Sequence, residues 1–175
     1  MRLHRVVLPA ALAGAQAGEP GRTLLVLGGC LGASGLNRLV VEALRLLVPL
    51  PDDLRVRHQA GPVDASRVEA QYRDLKVEAR VEPFVTKVGE AYREARLVVA
   101  RGGWMTLAEL RAWGLPAIIV PYPHHRDRQQ ERNAAYLVER QAALLVRQDE
   151  GPGRLAALIR ECWLDRARRE GLSLR

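Results

Sequence analysis

The chain has 175 residues, 48% hydrophobic and 27% charged, with a formal net charge of +7 and a pI near 10.2. That length suits one domain, or one domain and a terminal arm, and can bury a core without disulfides. Two cysteines, Cys30 and Cys162, exclude a disulfide framework and a cysteine-rich metal cluster and fit a reducing compartment. The basic balance suits nucleic acid, anionic lipid or a polyphosphate substrate, or reflects abundant Arg alone. An aromatic content of 5%, with no aromatic-interleaved basic motif, sets nucleic acid aside. No stretch approaches the roughly 18 apolar residues of a bilayer span.

Residues 1–22 read as a lead-in or linker arm, with turn residues at Gly18, Pro20 and Gly21. Basic Met1–Arg5, apolar Val6–Ala15 and Ala15-Gln16-Ala17 imitate a secretory leader, but Pro9 and Gly14 interrupt the apolar part. Thr23–Leu27 is a continuous apolar run, as in a strand buried on both faces, and ends in Gly28-Gly29. Leu36–Val48 carries apolar residues at a helical period, and Pro49 and Pro51 stop it. The unit then repeats. Strands are predicted at 54–59, 77–84, 96–100, 117–120 and 142–146. Helices are predicted at 64–75, 87–95, 106–113, 128–140 and 154–170, with Asp64 as an N-cap and Gly114 at a C′ position. Six strands alternating with helices predict an α/β fold, a Rossmann-like doubly wound parallel sheet. Ligands of such sheets bind at the carboxyl ends of the strands, so the loops there are the candidate site.

Three of these loops carry polar or glycine-rich patterns. Gly28-Gly29-Cys30-Leu31-Gly32-Ala33 lies between a strand and a helix, where glycines let backbone approach a phosphate. It matches neither the dinucleotide fingerprint nor a Walker A loop. Cys30 reads as a small residue filling a tight turn. Arg101-Gly102-Gly103-Trp104-Met105-Thr106 occupies an equivalent place, and Glu109 follows one turn later. A carboxylate there can accept both hydroxyls of a ribose, or Thr106 and Glu109 can form a capping box; spacing alone leaves both open. The third loop, Pro121 to Asn133, is polar. Gln130 and Asn133 share a helical face, and amides suit sugar hydroxyls, although an ordinary charged helix start has the same look. No nucleophile elbow and no HExxH motif occurs, so no catalytic residue is assigned. His124 and His125 are loop histidines that can act as acid or base, or be merely solvated.

Taken together, Leu27–Ala33 with Leu36-Asn37, Val81–Val85 with Ala91-Tyr92, Ala100–Leu110 with Gly114–Ala117, and Pro121–His124 with Asp127, Gln130 and Asn133-Ala134 resemble the C-terminal domain of the MurG family of glycosyltransferases. The resemblance runs in order from Thr23 to the C-terminus. It implies the C-terminal domain of a GT-B enzyme with UDP-N-acetylglucosamine (UDP-GlcNAc) as donor, inversion at the anomeric carbon, and no metal or other cofactor. By the same resemblance the backbone of Val85 reads uracil and Glu109 holds the ribose hydroxyls. Cys30, Gly103, Trp104, Met105 and Thr106 cradle the diphosphate beside the glycines Gly28, Gly29 and Gly32. Gln129, Gln130 and Asn133 contact the sugar. The acceptor is a lipid-linked muramoyl-pentapeptide in peptidoglycan synthesis, reached from the cytoplasm or the cytoplasmic face of the plasma membrane.

Three positions depart from the family pattern: Cys30 and Gly102 stand where serine is common, and Trp104 where a small residue is usual. Val7–Ala11 stands in place of an interdomain segment that carries an arginine. The resemblance also implies an N-terminal acceptor domain for which residues 1–22 leave no room, so residues 23–175 are expected to be the donor domain alone. The chain is then a fragment, a truncated product or one subunit of a two-chain enzyme, and an uncovered interdomain face favours a homodimer or poor solubility. The rival readings are a donor subunit serving another acceptor and a degenerate, non-catalytic nucleotide-binding domain.

Overall fold

A computed structural model describes residues 21–29, 33–124 and 127–172. Six strands, β1 (Thr23–Leu27), β2 (Arg55–Gln59), β3 (Ala79–Glu82), β4 (Ala95–Ala100), β5 (Ala117–Ile119) and β6 (Leu144–Leu145), form one sheet in the order β3-β2-β1-β4-β5-β6. Every pairing is parallel. The helices are α1 (Ser34–Leu47), α2 (Ala65–Asp74), α3 (Val88–Glu94), α4 (Trp104–Trp113), α5 (Gln129–Val138), α6 (Gly151–Leu164) and α7 (Arg166–Gly171). The predicted doubly wound sheet is therefore present, and its strand order reverses between β1 and β4.

Alternation along the central strands separates two cores. Leu24, Val26, Leu97, Val99, Ile118 and Val120 point to one face, where α1 and α6 pack. Leu25, Val98, Ala100, Ala117 and Ile119 point to the other, toward Tyr92, Leu107, Leu110 and Ala134. Side chains of successive strand residues leave opposite faces, so a run apolar at every position is needed to feed both layers.

Among the predicted elements whose bounds shift, three do so for a clear physical reason. β3, expected over 77–84, is confined to Ala79–Glu82, because it is an edge strand paired only with β2 and Pro83 has no N–H to extend the ladder. β6, expected over 142–146, is two residues long, matched to Ile118 and Ile119 of the short β5. The closing helix, expected over 154–170, starts at Gly151 and breaks at Asp165, whose extended backbone caps α7 and whose carboxylate accepts from the Arg168 N–H at 2.9 Å. Asp64 precedes α2, but its side chain makes no capping hydrogen bond there. It accepts instead from Asn37 Nδ2 at 3.0 Å and from Arg67 at 2.8 Å.

Asn37 belongs to a buried polar chain. Its Nδ2 also donates to the Ala60 carbonyl, so its Oδ1 faces His58 Nε2 at 3.0 Å, and His58 Nδ1 meets the Tyr72 hydroxyl at 2.8 Å. These partners assign the Nε2–H tautomer, with Nδ1 accepting from the tyrosine. Burial holds the imidazole pKa down at about 3, against the weaker pull of the Asp64 carboxylate. A depressed histidine favours folding above its unfolded pKa, and that contribution is lost as pH falls through the window from 6.5 toward 3. Between pH 7 and pH 5 the unfolding free energy is expected to drop by about 2 kcal/mol. Urea unfolding at the two pH values measures this, and equal midpoints would refute it.

Candidate functional site

The strand-order reversal places the loop after β1 beside the loop after β4. In open parallel sheets the crevice at that point receives the ligand. Gly28 is buried, and Gly29 is exposed with φ +91°, a conformation that only glycine adopts without strain. Gln59, the last residue of β2, braces this turn: its Nε2 donates to the Gly29 carbonyl at 2.7 Å and its Oε1 accepts from the Gly29 N–H at 3.1 Å. Cys30 and Gly32 lie outside the described residues.

Across the crevice, α4 begins at Trp104, with Gly103 as its extended N-cap. The capping-box alternative fails: Thr106 is the third helical residue, not the cap, and no side-chain cap bond forms. The amides of the first turn are free of intrahelical partners by construction and carry the positive end of the helix dipole, the standard arrangement for an anion. A Cβ on Gly103 would meet nothing within 4 Å, so the loop is open above this turn. Trp104 and Met105 are 62% and 71% exposed at its mouth. Thr106 is half-buried.

Glu109 lies on α4 between the loop and the core. Its Oε2 accepts from the Tyr92 hydroxyl at 2.7 Å. Tyr92 is itself buried, tilted against Trp113 at 5.8 Å, and both burial and the neighbouring carboxylate raise its pKa, so it stays a donor. The carboxylate is thus oriented by a rigid phenol from α3. Val85, in the segment leading from β3 to α3, packs half-buried against the same core.

The third loop closes the site. Gln129, exposed, opens α5, with its N–H donating to Asp127 Oδ1 at 3.2 Å. Gln130 and Asn133 are half-buried and reach back to Gly102. A Cβ on Gly102 would lie 2.4 Å from the Gln130 carbonyl oxygen, which gives the serine-to-glycine departure a physical reason. Gly102→Ala is expected to cost about 1–3 kcal/mol, because the clash is with backbone and α5 must move. A urea midpoint equal to that of the parent would refute it. His124 is exposed and packs edge-on against Tyr122 at 5.4 Å; His125 lies outside the described residues.

Sequence reasoning gave no role to Arg101, Gln59 or Tyr92. Arg101 is buried at 7% exposure and donates to the Val120 and Pro121 carbonyls at 3.1 and 3.0 Å and to Gln148 Oε1 at 2.9 Å. Burial lowers its pKa to about 10, so it remains a cation at neutral pH. It sits under the Tyr122 ring at 5.7 Å and ties together the loops after β4, β5 and β6. Its place at the carboxyl end of a buried strand was the available signal. Tyr92 and Gln59 reach the site across gaps of 17 and 30 residues, which spacing does not encode.

Outside this crevice, an apolar hollow of about 240 Å³ opens at the opposite edge of the sheet, between the end of α1 and α6, lined by Leu47, Leu50, Ile159 and Trp163. It carries no chemistry-bearing cluster. Among the described residues no group of His, Cys, Asp and Glu comes together as a metal site, and no helix is long and apolar enough to cross a membrane.

The glycosyltransferase family 28 C-terminal domain model matches residues 23–173. The UDP-N-acetylglucosamine--N-acetylmuramyl-(pentapeptide) pyrophosphoryl-undecaprenol N-acetylglucosamine transferase of Pseudomonas paraeruginosa is 48% identical over 139 residues, covering 79% of this chain and 39% of the relative. An enzyme of the same name from Methylococcus capsulatus is 44% identical over 154 residues, with coverages of 87% and 43%. The chain therefore spans about two fifths of the length of the curated relatives it matches. Among solved structures, MurG of Acinetobacter baumannii aligns with a TM-score of 0.79 at 29% identity, covering 94% of this chain and 47% of that one. The C-terminal CMP-Kdo binding domain of WaaA from the same organism aligns with a TM-score of 0.66 at 11% identity, over 88% and 86%, a likeness of fold. With this sheet order, these loops and a family match across nearly the whole described domain, the chain belongs to glycosyltransferase family 28 and corresponds to the C-terminal domain of that family.

Proposed function

We propose that this chain is the donor-binding domain of an inverting N-acetylglucosaminyltransferase, holding UDP-GlcNAc for transfer to a lipid-linked muramoyl-pentapeptide in peptidoglycan synthesis. The observation that carries the reading is the pairing, on one helix, of an open N-terminal turn at Gly103–Thr106 with a braced carboxylate one turn later at Glu109. A nucleoside diphosphate needs both: an anion site for its phosphates and an acceptor for its ribose hydroxyls, a short reach apart.

In this reading the Val85 backbone meets uracil, Glu109 accepts from the ribose hydroxyls, and Gly103 to Thr106 with the loop at Gly28, Gly29, Cys30 and Gly32 cradle the diphosphate. Gln129, Gln130 and Asn133 face the sugar. The C4 hydroxyl of the acceptor forms a bond to C1 of the N-acetylglucosamine while the bond from C1 to the diphosphate oxygen breaks, and UDP leaves with its electron pair. The α4 amides and dipole stabilise the charge that develops on the departing diphosphate. The base that takes the hydroxyl proton, and the acceptor itself, are supplied by an acceptor domain or partner chain at the cytoplasmic membrane face. A homodimer in its absence is part of the same reading.

Calorimetric titration of the purified chain with UDP-GlcNAc, UDP-glucose and cytidine diphosphate tests this. Saturable binding of UDP-GlcNAc in preference to both others is the expected result. Equal affinity for UDP-GlcNAc and UDP-glucose would overturn the sugar assignment. Absence of binding by every uridine nucleotide would favour a degenerate domain whose mouth Trp104 obstructs.

A further inference from the structure

The amides that a sugar site would use are already engaged with the protein itself. Gln130 Oε1 accepts from the Gly102 N–H at 3.2 Å and from the Tyr122 N–H at 2.9 Å. Both partners are donors, so the amide can be oriented only with its oxygen toward them, and its two lone pairs are filled. Asn133 Nδ2 donates to the Gly102 carbonyl at 3.1 Å. The Gly102 peptide is held through its N–H and its C=O by two side chains on consecutive turns of α5. Gly102 has no Cβ to keep α5 away, since one would fall 2.4 Å from the Gln130 carbonyl. The neighbouring glycine loop is held in the same manner, with Gln59 bonded to both the N–H and the C=O of Gly29.

We infer that Gln130 and Asn133 are positioning residues for the anion-binding turn: they clasp the Gly102 peptide and so fix the loop that aims the α4 amides at the diphosphate. This deepens the donor reading and rests on it. The clasp restricts what these residues offer to a sugar. Gln130 retains only its Nε2 hydrogens and can donate but not accept, while Asn133 retains its Oδ1 as acceptor. Loss of a sugar contact and loss of a clasp have different signatures. A residue that touches only the sugar changes affinity for UDP-GlcNAc and leaves UDP unaffected. A residue that sets the loop changes both, because the diphosphate is common to the two ligands.

The test compares the parent chain with Gln130→Met, which keeps the length but removes both amide functions, and with Gln130→Glu, which restores an acceptor for the two N–H groups. Calorimetry with UDP and with UDP-GlcNAc is paired with residue-resolved amide exchange in the free protein. The expected result is that Gln130→Met weakens UDP about ten-fold for the loss of an oriented loop, and UDP-GlcNAc by at least that factor because the Nε2 donor to the sugar is lost with it. The Gly102 and Tyr122 amides should exchange slowly in the parent, at least about ten-fold faster in Gln130→Met, and slowly again in Gln130→Glu. Unchanged UDP affinity with weakened UDP-GlcNAc would overturn the inference and return Gln130 to a sugar contact. Fast exchange of both amides in the parent would overturn it independently of any ligand. A parent that binds no uridine nucleotide would refute the donor reading, whereas the exchange data would still decide the clasp.

Discussion

Glu109→Ala is expected to weaken binding of UDP-GlcNAc by about 100-fold, because two hydroxyl-to-carboxylate hydrogen bonds, each worth about 1.5–3 kcal/mol, are lost and partly replaced by water. The structure makes the carboxylate a fixed acceptor and not a mobile one. Glu109 is half-buried on α4, and the Tyr92 hydroxyl holds one of its oxygens at 2.7 Å. Tyr92→Phe removes that brace without removing the acceptor, and a smaller loss of several-fold is expected, on the order of one neutral hydrogen bond. The ordering of the two variants is the informative part. If Glu109→Ala bound UDP-GlcNAc as the parent does, α4 would still offer an anion site but the ribose assignment would be wrong. Circular dichroism and urea midpoints of both variants separate this from unfolding, since Glu109 makes no ion pair among the described residues.

Glu82→Gln is expected to cost about 3 kcal/mol of folding stability, the low end of the penalty for breaking a buried ion pair. Arg57 on β2 is 2% exposed, and its Nε donates to Glu82 Oε2 at 2.7 Å, with Glu94 at 3.1 Å on its other side. Burial acts to lower the Arg57 pKa, but the hydrogen bonds and charges of Glu82 and Glu94 outweigh it and leave it raised. Glu94 is half-exposed and remains as a partner, which limits the loss. Replacing the pair together, with Arg57→Leu and Glu82→Leu, should recover most of the stability, because no uncompensated charge is then left inside. Urea unfolding of the single and double variants measures the difference. A Glu82→Gln midpoint within error of the parent would show that Glu94 alone satisfies the guanidinium. The pair also matters for the site, because Glu82 ends the short edge strand from which the chain turns toward Val85.

The pH-dependent part of the stability and the nucleotide site draw on different residues of the same sheet. The buried chain of Asn37, His58, Tyr72 and Asp64 lies on the α1 and α2 face, away from the α4 turn. The braces at Gly29 and Gly102 lie at the carboxyl edge. The two sets share no residue, so the pH-dependent loss of stability below pH 6.5 and the loss of nucleotide affinity in Gln130→Met should be separable by experiment.

Much of the fold was legible in the chain itself. Runs such as Thr23–Leu27 and Arg96–Ala100 must feed apolar side chains to both faces of a sheet, and only a parallel sheet covered by helices on both faces does so. Glycines after such strands marked the ligand edge for the same reason. Local pattern determined the elements, their alternation and the loops at the carboxyl edge of the sheet. It could not set the lengths of β3 and β6, which depend on the partner strand, nor the break at Asp165, where a single cap outweighs a helical charge run. It left open whether Glu109 caps a helix or faces a ligand, because both need the same spacing. Tertiary structure removed the capping box by starting α4 at Trp104, and it brought Tyr92 to Glu109 across 17 residues. It also decided that Gln130, Asn133 and Gln59 hold glycine peptides. A side-chain amide can bond to backbone or to sugar equally well, and only the packing of α5 against Gly102 settles which partner is within reach.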